Sequence, residues 1–150
     1  SYIAKKLTPI KVHLCASASY IKNYGKPKIP EDLVRGHVKL QYTSAPESWH
    51  FKSASGKNVQ VNIPSVLRSN NGDFLSQAAV DGFGLAVTPD FISYEAIRAG
   101  DLKSLLSEFL VDNKIYAYAL YPQGRHLPLR VRSFIDFLSE YYGDKPYWAI

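Results

Sequence analysis

The stretch 69-SNNGDFLSQAAVDGFGLAVTP-89 decides the fold class. Asn70 and Asn71 carry side-chain oxygens that can accept from the free backbone N–H groups of a helix start. Apolar residues follow with helical spacing, two glycines end the helix, and the apolar run 85–88 comes next. Such a run, bounded by glycine and proline, is typical of a buried strand. The stretch therefore predicts a helix followed directly by a strand of a covered sheet.

Strands and helices alternate in both directions from this stretch. Alternating or β-branched runs predict strands, serine followed by helical spacing predicts a short helix, and a long apolar stripe predicts the last helix. The predicted elements are a strand at 11–16, a helix begun by Ser17, a strand at 38–42, a hairpin at 49–51 and 59–61, a short strand at 66–67, a helix at 91–99, a strand at 115–121 and a helix at 129–142. This alternation predicts an α/β layered fold. The hairpin within it predicts a mixed sheet.

Composition narrows the class of protein. The chain has 150 residues, of which 46% are hydrophobic and 21% charged, values typical of a folded globular chain. The net charge of +5 is scattered, so direct DNA binding by this segment is not predicted. A single cysteine, Cys15, favours a reducing cytoplasm. Apolar runs stay well short of the roughly 20 residues that cross a bilayer, so no membrane partner is predicted.

Motifs of catalysis are not evident. The four histidines have no metal-ligand spacing, no serine lies in a G-x-S-x-G turn, and Gly82-Phe83-Gly84 lacks the third glycine of a dinucleotide loop. The sequence predicts a non-enzyme without metal or cofactor, although a triad assembled only in three dimensions stays open.

The remaining class of function is the binding of a ligand. Asn70 and Asn71 either place a ligand at the positive end of a helix or only cap that helix, and Ser17 has the same two interpretations.

An ordered set of residues along most of the chain carries a family resemblance. The set comprises Leu14-Cys15-Ala16-Ser17, Tyr20, Gly25, Pro27, Pro30, Asp32-Leu33, His37, Leu40, Tyr42, Trp49, Phe51, Gly56, Asn70-Asn71-Gly72-Asp73, Ala78-Ala79, Gly82, Gly84, Pro89, Arg125-His126-Leu127-Pro128, Val131-Arg132, Phe134 to Leu138 and Pro146-Tyr147-Trp148. In this order and spacing the chain resembles the effector-binding region of bacterial LysR-type transcriptional regulators. Ala18 departs from the family, which usually has proline there.

The resemblance implies a type 2 periplasmic-binding-protein-like fold, with mixed sheets flanked by helices in two subdomains and a ligand cleft between them. By this comparison residues 1–16 end subdomain I and residues 17–120 form a complete subdomain II. Residues 121–150 return to subdomain I, which is partial. The winged helix-turn-helix would lie outside this chain.

The implied function is the sensing of a small-molecule effector, anionic if it binds the positive end of a helix. The candidate effector contacts are Ser17, Tyr42, Asn70, Asn71 and Tyr121. Further expectations are self-association as a dimer or tetramer, DNA contact only through the winged helix-turn-helix, and a cytoplasmic location. The alternative is a periplasmic solute-binding protein of a transporter. The apolar face of helix 129–142 is expected to dock on another chain or to stay exposed.

Overall fold

The computed structural model describes residues 1–124 and 127–150, so the motif residues Arg125 and His126 lie outside the described part. The chain divides into two compact units. Residues 1–11 and 113–149 form the first unit, and residues 12–112 together with Ile150 form the second. The bounds inferred from the resemblance lie at 16/17 and 120/121. The two sets differ at the start because the strand after residue 11 hydrogen-bonds within the second unit.

The elements follow the predicted alternation. They are β1 (Tyr2–Ile10), β2 (Val12–Ala16), α1 (Ala18–Tyr24), a 3₁₀ turn (Pro30–Val34), β3 (Lys39–Tyr42), β4 (Trp49–Lys52), β5 (Asn58–Val61), β6 (Ser65–Ser69), α2 (Gly72–Val80), β7 (Leu85–Pro89), α3 (Asp90–Ala99), β8 (Lys103–Leu105), a second 3₁₀ turn (Ser107–Phe109), β9 (Ile115–Pro122) and α4 (Leu129–Tyr142).

The second unit is built on a five-stranded sheet with the order β6-β3-β7-β2-β8. Strand β3 is parallel to both β6 and β7, whereas β2 is antiparallel to both β7 and β8. The predicted mixed sheet is therefore confirmed, but the reason given for it was wrong. The hairpin β4–β5 forms a separate two-stranded sheet, and the antiparallel member of the main sheet is β2.

Local capping chemistry sets the helix ends. Ser17 Oγ accepts from the Tyr20 N–H at 3.2 Å and begins α1, and Asn71 Oδ1 accepts from the Phe74 N–H at 3.1 Å and begins α2. Both helix starts agree with the predictions. Gly100 ends α3 with φ of 84°, a left-handed conformation that glycine adopts without a Cβ clash.

Two apolar cores cover the two faces of the main sheet, because side chains alternate across a strand. On one face Leu14, Leu85 and Leu105 pack with the buried Phe51 of the hairpin. On the other face the neighbouring residues of the same strands pack against α2 and its buried Leu75. The main sheet is therefore covered on both sides.

The first unit pairs the two ends of the chain. Strand β1 is antiparallel to β9, in a register from Tyr2↔Pro122 to Ile10↔Ile115. Helix α4 packs on β1, where Lys5 Nζ lies 2.9 Å from an Asp136 carboxylate oxygen.

The apolar stripe of α4 is only partly covered in the described residues. Within the stripe Ile135 is buried, with 6% of its surface exposed, whereas Phe134 is 59% exposed. Phe137, which lies outside the predicted stripe, is 57% exposed. Part of the predicted apolar face of this helix therefore stays open within the described chain.

Candidate functional site

The carboxyl ends of the parallel strands meet at one edge of the main sheet, the location at which open α/β sheets bind ligands. Strands β6, β3, β7 and β8 run in the same direction and end at this edge, which we call the carboxyl edge. Tyr42 ends β3 and lies in register with Ser69, which ends β6. The Thr43 N–H donates to the Ser69 carbonyl oxygen at 2.9 Å. These contacts fix the two strand ends beside each other.

Helix α2 begins at this edge directly after β6. The Asn71 N–H donates to Ser69 Oγ at 3.1 Å, and the Asn71 side-chain oxygen caps the helix. The capping bond uses only the oxygen, so the Asn71 side-chain NH₂ group is left as a donor toward another partner. Asn70 and Asn71 are both exposed. The site thus combines amide groups with the first N–H groups of a helix, which have no partner within the helix.

The start of α3 lies next to the start of α2. A Cβ atom placed on Gly72 would lie only 2.5 Å from Ile92 Cδ1, so the two helix starts are in close contact. Asp90 begins α3 with 2% of its surface exposed, and its carboxylate accepts from the Phe91 N–H at 2.9 Å. Two helix N-termini therefore meet at the carboxyl edge, one with a buried carboxylate and one with exposed amides.

Three of the five predicted site residues come together here, namely Tyr42, Asn70 and Asn71. Ser17 does not join them, because β2 runs against its neighbours and ends at the opposite edge. Ser17 is buried, and its Oγ would lie 3.5 Å from a Cβ on Gly82, just beyond the end of α2.

Tyr121 belongs to the first unit, where it lies beside a groove of about 380 Å³. The groove is lined by Ile3, Lys5, Tyr121, Pro122, Gly124, Leu127, Arg132, Ile135 and Asp136. Lys5 and Asp136, which form an ion pair, both line this groove. Tyr121 therefore belongs to this groove of the first unit.

Sequence reasoning missed two polar residues that lie behind the carboxyl edge. The alternation of 38-VKLQY-42 predicts a strand, and on a half-solvated strand the side chains of Lys39 and Gln41 would face solvent. Both are instead 1% exposed, because β3 is a central strand with both faces covered. The pattern within the strand carries no signal for this outcome, since it depends on where the strand lies in the sheet.

Cys15 is fully buried in the second unit. Burial raises the pKa of its thiol to about 11, against smaller opposing effects of hydrogen bonds with Thr88, Ser104 and Ser93. The thiol is therefore protonated at neutral pH.

Among residues 1–124 and 127–150 no group of three or more histidine, cysteine or acidic side chains could hold a metal ion. No helix in that same part of the chain has the length and apolar character to cross a membrane.

The sequence model of the LysR substrate binding domain matches residues 1–143. The chain belongs to this LysR family. It is 31% identical over 140 residues to the probable HTH-type transcriptional regulator LtrA of Klebsiella pneumoniae, covering 91% of this chain and 45% of that protein. It is 32% identical over 148 residues to the HTH-type transcriptional regulator PtxR of Pseudomonas aeruginosa, covering 96% and 46%. The LysR chain thus spans about half the length of the curated relatives it matches.

The fold agrees with solved LysR-type structures. The regulatory domain of CrgA from Neisseria meningitidis superposes with a TM-score of 0.81 at 28% identity, covering 95% of this chain and 69% of that one. The predicted family and the type 2 periplasmic-binding-protein-like fold are confirmed. Both relatives are named as transcriptional regulators, and the comparisons give no support to the alternative of a transporter component.

Proposed function

We propose that this chain is the effector-binding part of a LysR-type transcriptional regulator and that it has no enzymatic activity. The second unit corresponds in this proposal to effector subdomain II, and the first unit to part of subdomain I. The protein acts in the cytoplasm, where bacterial DNA is read. DNA contact is made by a winged helix-turn-helix that precedes the effector domain in the regulator.

The observation that carries this proposal is the meeting of Tyr42, Asn70 and Asn71 at the carboxyl edge. The amides and the free N–H groups at the start of α2 are suited to an acceptor group, and the positive end of the helix favours an anionic one. The effector is therefore a small molecule with a carboxylate or similar group. Tyr42, 39% exposed, provides a partly open aromatic ring beside it.

Effector binding controls transcription through the oligomer in this proposal. The subunits associate as a dimer or tetramer in two arrangements, and the effector binds one of them more tightly. Coupling of this kind is typically worth about 1–3 kcal/mol.

The test is a thermal-shift screen with benzoate, propionate, succinate, glutamate and inorganic phosphate as probes. It is made on the wild type and on two variants of one residue, Asn71→Asp and Asn71→Ala. Aspartate is as good an N-cap as asparagine, so Asn71→Asp should keep the stability within about 0.5 kcal/mol while its charge repels an anion. Asn71→Ala should lose about 1 kcal/mol of stability through the missing cap.

A matched control is Ser17→Ala, which removes the N-cap of α1 at the opposite edge of the sheet. It should lower stability by a comparable amount and leave the response to the probe intact. A probe response that survives Asn71→Asp would locate the site elsewhere. If no probe stabilises the chain while DNA binding by the intact regulator responds to one of them, the effector assignment is wrong.

A further inference from the structure

The loop between β3 and β4, residues 43–48, lies at the carboxyl edge and is held by side chains of β3. The buried Gln41 side chain contacts the first half of the loop. Gln41 Nε2 lies within hydrogen-bond distance of three carbonyl oxygens, those of Tyr42 at 3.2 Å, Ala45 at 3.0 Å and Pro46 at 3.1 Å. One NH₂ group has two protons, so it satisfies these carbonyls by shared bonds. A single side chain thus fixes the turn that follows Tyr42.

The second half of the loop is anchored by Lys39, two residues earlier on the same face of β3. The Lys39 ammonium donates to the Glu47 carbonyl oxygen and, at 3.3 Å, to Asn62 Oδ1. The Glu47 carboxylate lies 3.8 Å from Lys39 Nζ and accepts two bonds from the Arg68 guanidinium at 2.6 and 3.0 Å. Arg68 is opposite Gln41 in the pairing of β3 with β6. Both halves of the loop are therefore tied to the strands whose ends form the candidate site.

Stability alone does not account for a lysine at this position. Burial lowers the pKa of the Lys39 ammonium, chiefly through desolvation, which shows that the charged form is disfavoured there. Buried ion pairs can often be replaced by apolar side chains without loss of stability. A methionine at position 39 or 41 would fill the same space, but it would leave the loop carbonyls without donors. Lysine at position 39 and glutamine at position 41 therefore fix the loop conformation but add nothing to the packing of the core.

We propose that Lys39 and Gln41 are positioning residues of the effector site. They hold the backbone of residues 42–47 against the sheet and so keep Tyr42 beside Asn70 and Asn71. This inference rests on the proposed function, because it assigns a role toward the same carboxyl edge. Neither residue contacts the effector. Both act through the loop.

The test uses Lys39→Met and Gln41→Met, which keep the volume of the side chain and remove the donors. Leu33→Val is the control, since Leu33 is a buried core residue in the first 3₁₀ turn and its truncation lowers stability without removing a loop contact. Amide hydrogen exchange is measured for the loop, above all at Ala45, whose N–H bonds the Tyr42 carbonyl at 3.0 Å. The dissociation constant is measured for whichever of the five probes shifts the melting temperature of the wild type.

In both methionine variants we expect exchange in the loop to rise about tenfold, relative to Leu40 in the same strand, and the probe to bind about tenfold more weakly. Leu33→Val should raise exchange at Ala45 and Leu40 alike and leave the dissociation constant unchanged. If Lys39→Met does not fold, Gln41→Met carries the test alone, because it removes the donor to three loop carbonyls and leaves Lys39 in place.

Two results would overturn the inference. In the first, loop exchange in the methionine variants matches that in Leu33→Val, so that the anchors do not order the loop. In the second, amide exchange in the loop rises but the probe binds as tightly as in the wild type, so that the effector site does not depend on Lys39 and Gln41. If no probe stabilises the wild type although DNA binding by the intact regulator responds to one of them, the proposed function fails first, and the positioning role toward a site fails with it.

Discussion

Replacing Tyr20 with phenylalanine removes one buried hydroxyl group and leaves the ring in place. The Tyr20 hydroxyl accepts from the Val38 N–H at 3.0 Å and lies 3.1 Å from His37 Nδ1, and both Tyr20 and His37 are nearly inaccessible to solvent. A buried polar group that loses its partner costs about 1–3 kcal/mol. With two such groups affected, we expect the free energy of unfolding to fall by at least about 2 kcal/mol. For a chain of this size the melting temperature should drop by at least about 4 °C.

The assay is urea unfolding of wild type, Tyr20→Phe and Tyr24→Phe. Tyr24 provides a matched control because its ring stacks on Tyr20, with centroids 4.4 Å apart, while its side chain is 46% exposed. The same loss of one oxygen should change stability by less than about 0.5 kcal/mol at this exposed position. The slope against urea should be the same for all three proteins. Equal, small effects of the two substitutions would refute the claim that the Tyr20 hydroxyl satisfies buried groups.

Three further outcomes follow from burial and backbone geometry. Burial lowers the pKa of His37 below its ordinary 6.5, so the unfolded chain binds the proton first and stability should decline as the pH falls through 6.5 toward the folded-state pKa. His37→Gln should flatten that part of the pH profile of unfolding, and an unchanged profile would exclude His37 as its cause. Burial raises the pKa of Cys15 to about 11 and keeps its thiol protonated. Cys15 should therefore react with iodoacetamide at about pH 8 far more slowly in the folded than in the unfolded chain. Equal rates would contradict its burial. Gly100→Ala should lower stability by about 1 kcal/mol through its φ of 84° alone, since in residues 1–124 and 127–150 the added Cβ meets no atom within 4 Å beyond the adjacent backbone. A variant as stable as wild type in urea would contradict this reasoning.

Features that depend on nearby residues were predictable from the sequence. The helix starts at Ser17 and Asn71 follow from side-chain oxygens placed before apolar helical spacing, and the structure has both caps. The hairpin of β4 and β5 follows from two alternating runs around a glycine-containing loop. In each case the stabilising contacts join residues a few positions apart in the chain. Such contacts can be recognised directly in a single sequence.

Features that depend on distant pairing were not predictable in the same way. Strand β1 pairs with β9, more than a hundred residues later, and the strand predicted at 11–16 does not include it. Lys39 and Gln41 are buried although their strand alternates in polarity, because β3 has neighbouring strands on both sides and cover on both faces. Alternating polarity reports a solvated face only if nothing covers that face. Here a loop covers it, and the buried polar groups bond to that loop.

Ser17 and Asn71 demonstrate why capping chemistry alone cannot locate a binding site. Each follows a strand, begins a helix and accepts a backbone N–H through its side-chain oxygen. The residues differ in the direction of the preceding strand, because β6 runs with the majority of the sheet and β2 runs against it. Two chemically similar helix starts therefore lie at opposite edges, and only Asn71 lies where the parallel strands end. Strand direction, which is set by hydrogen bonds between distant segments, therefore decides which helix start we propose for the effector.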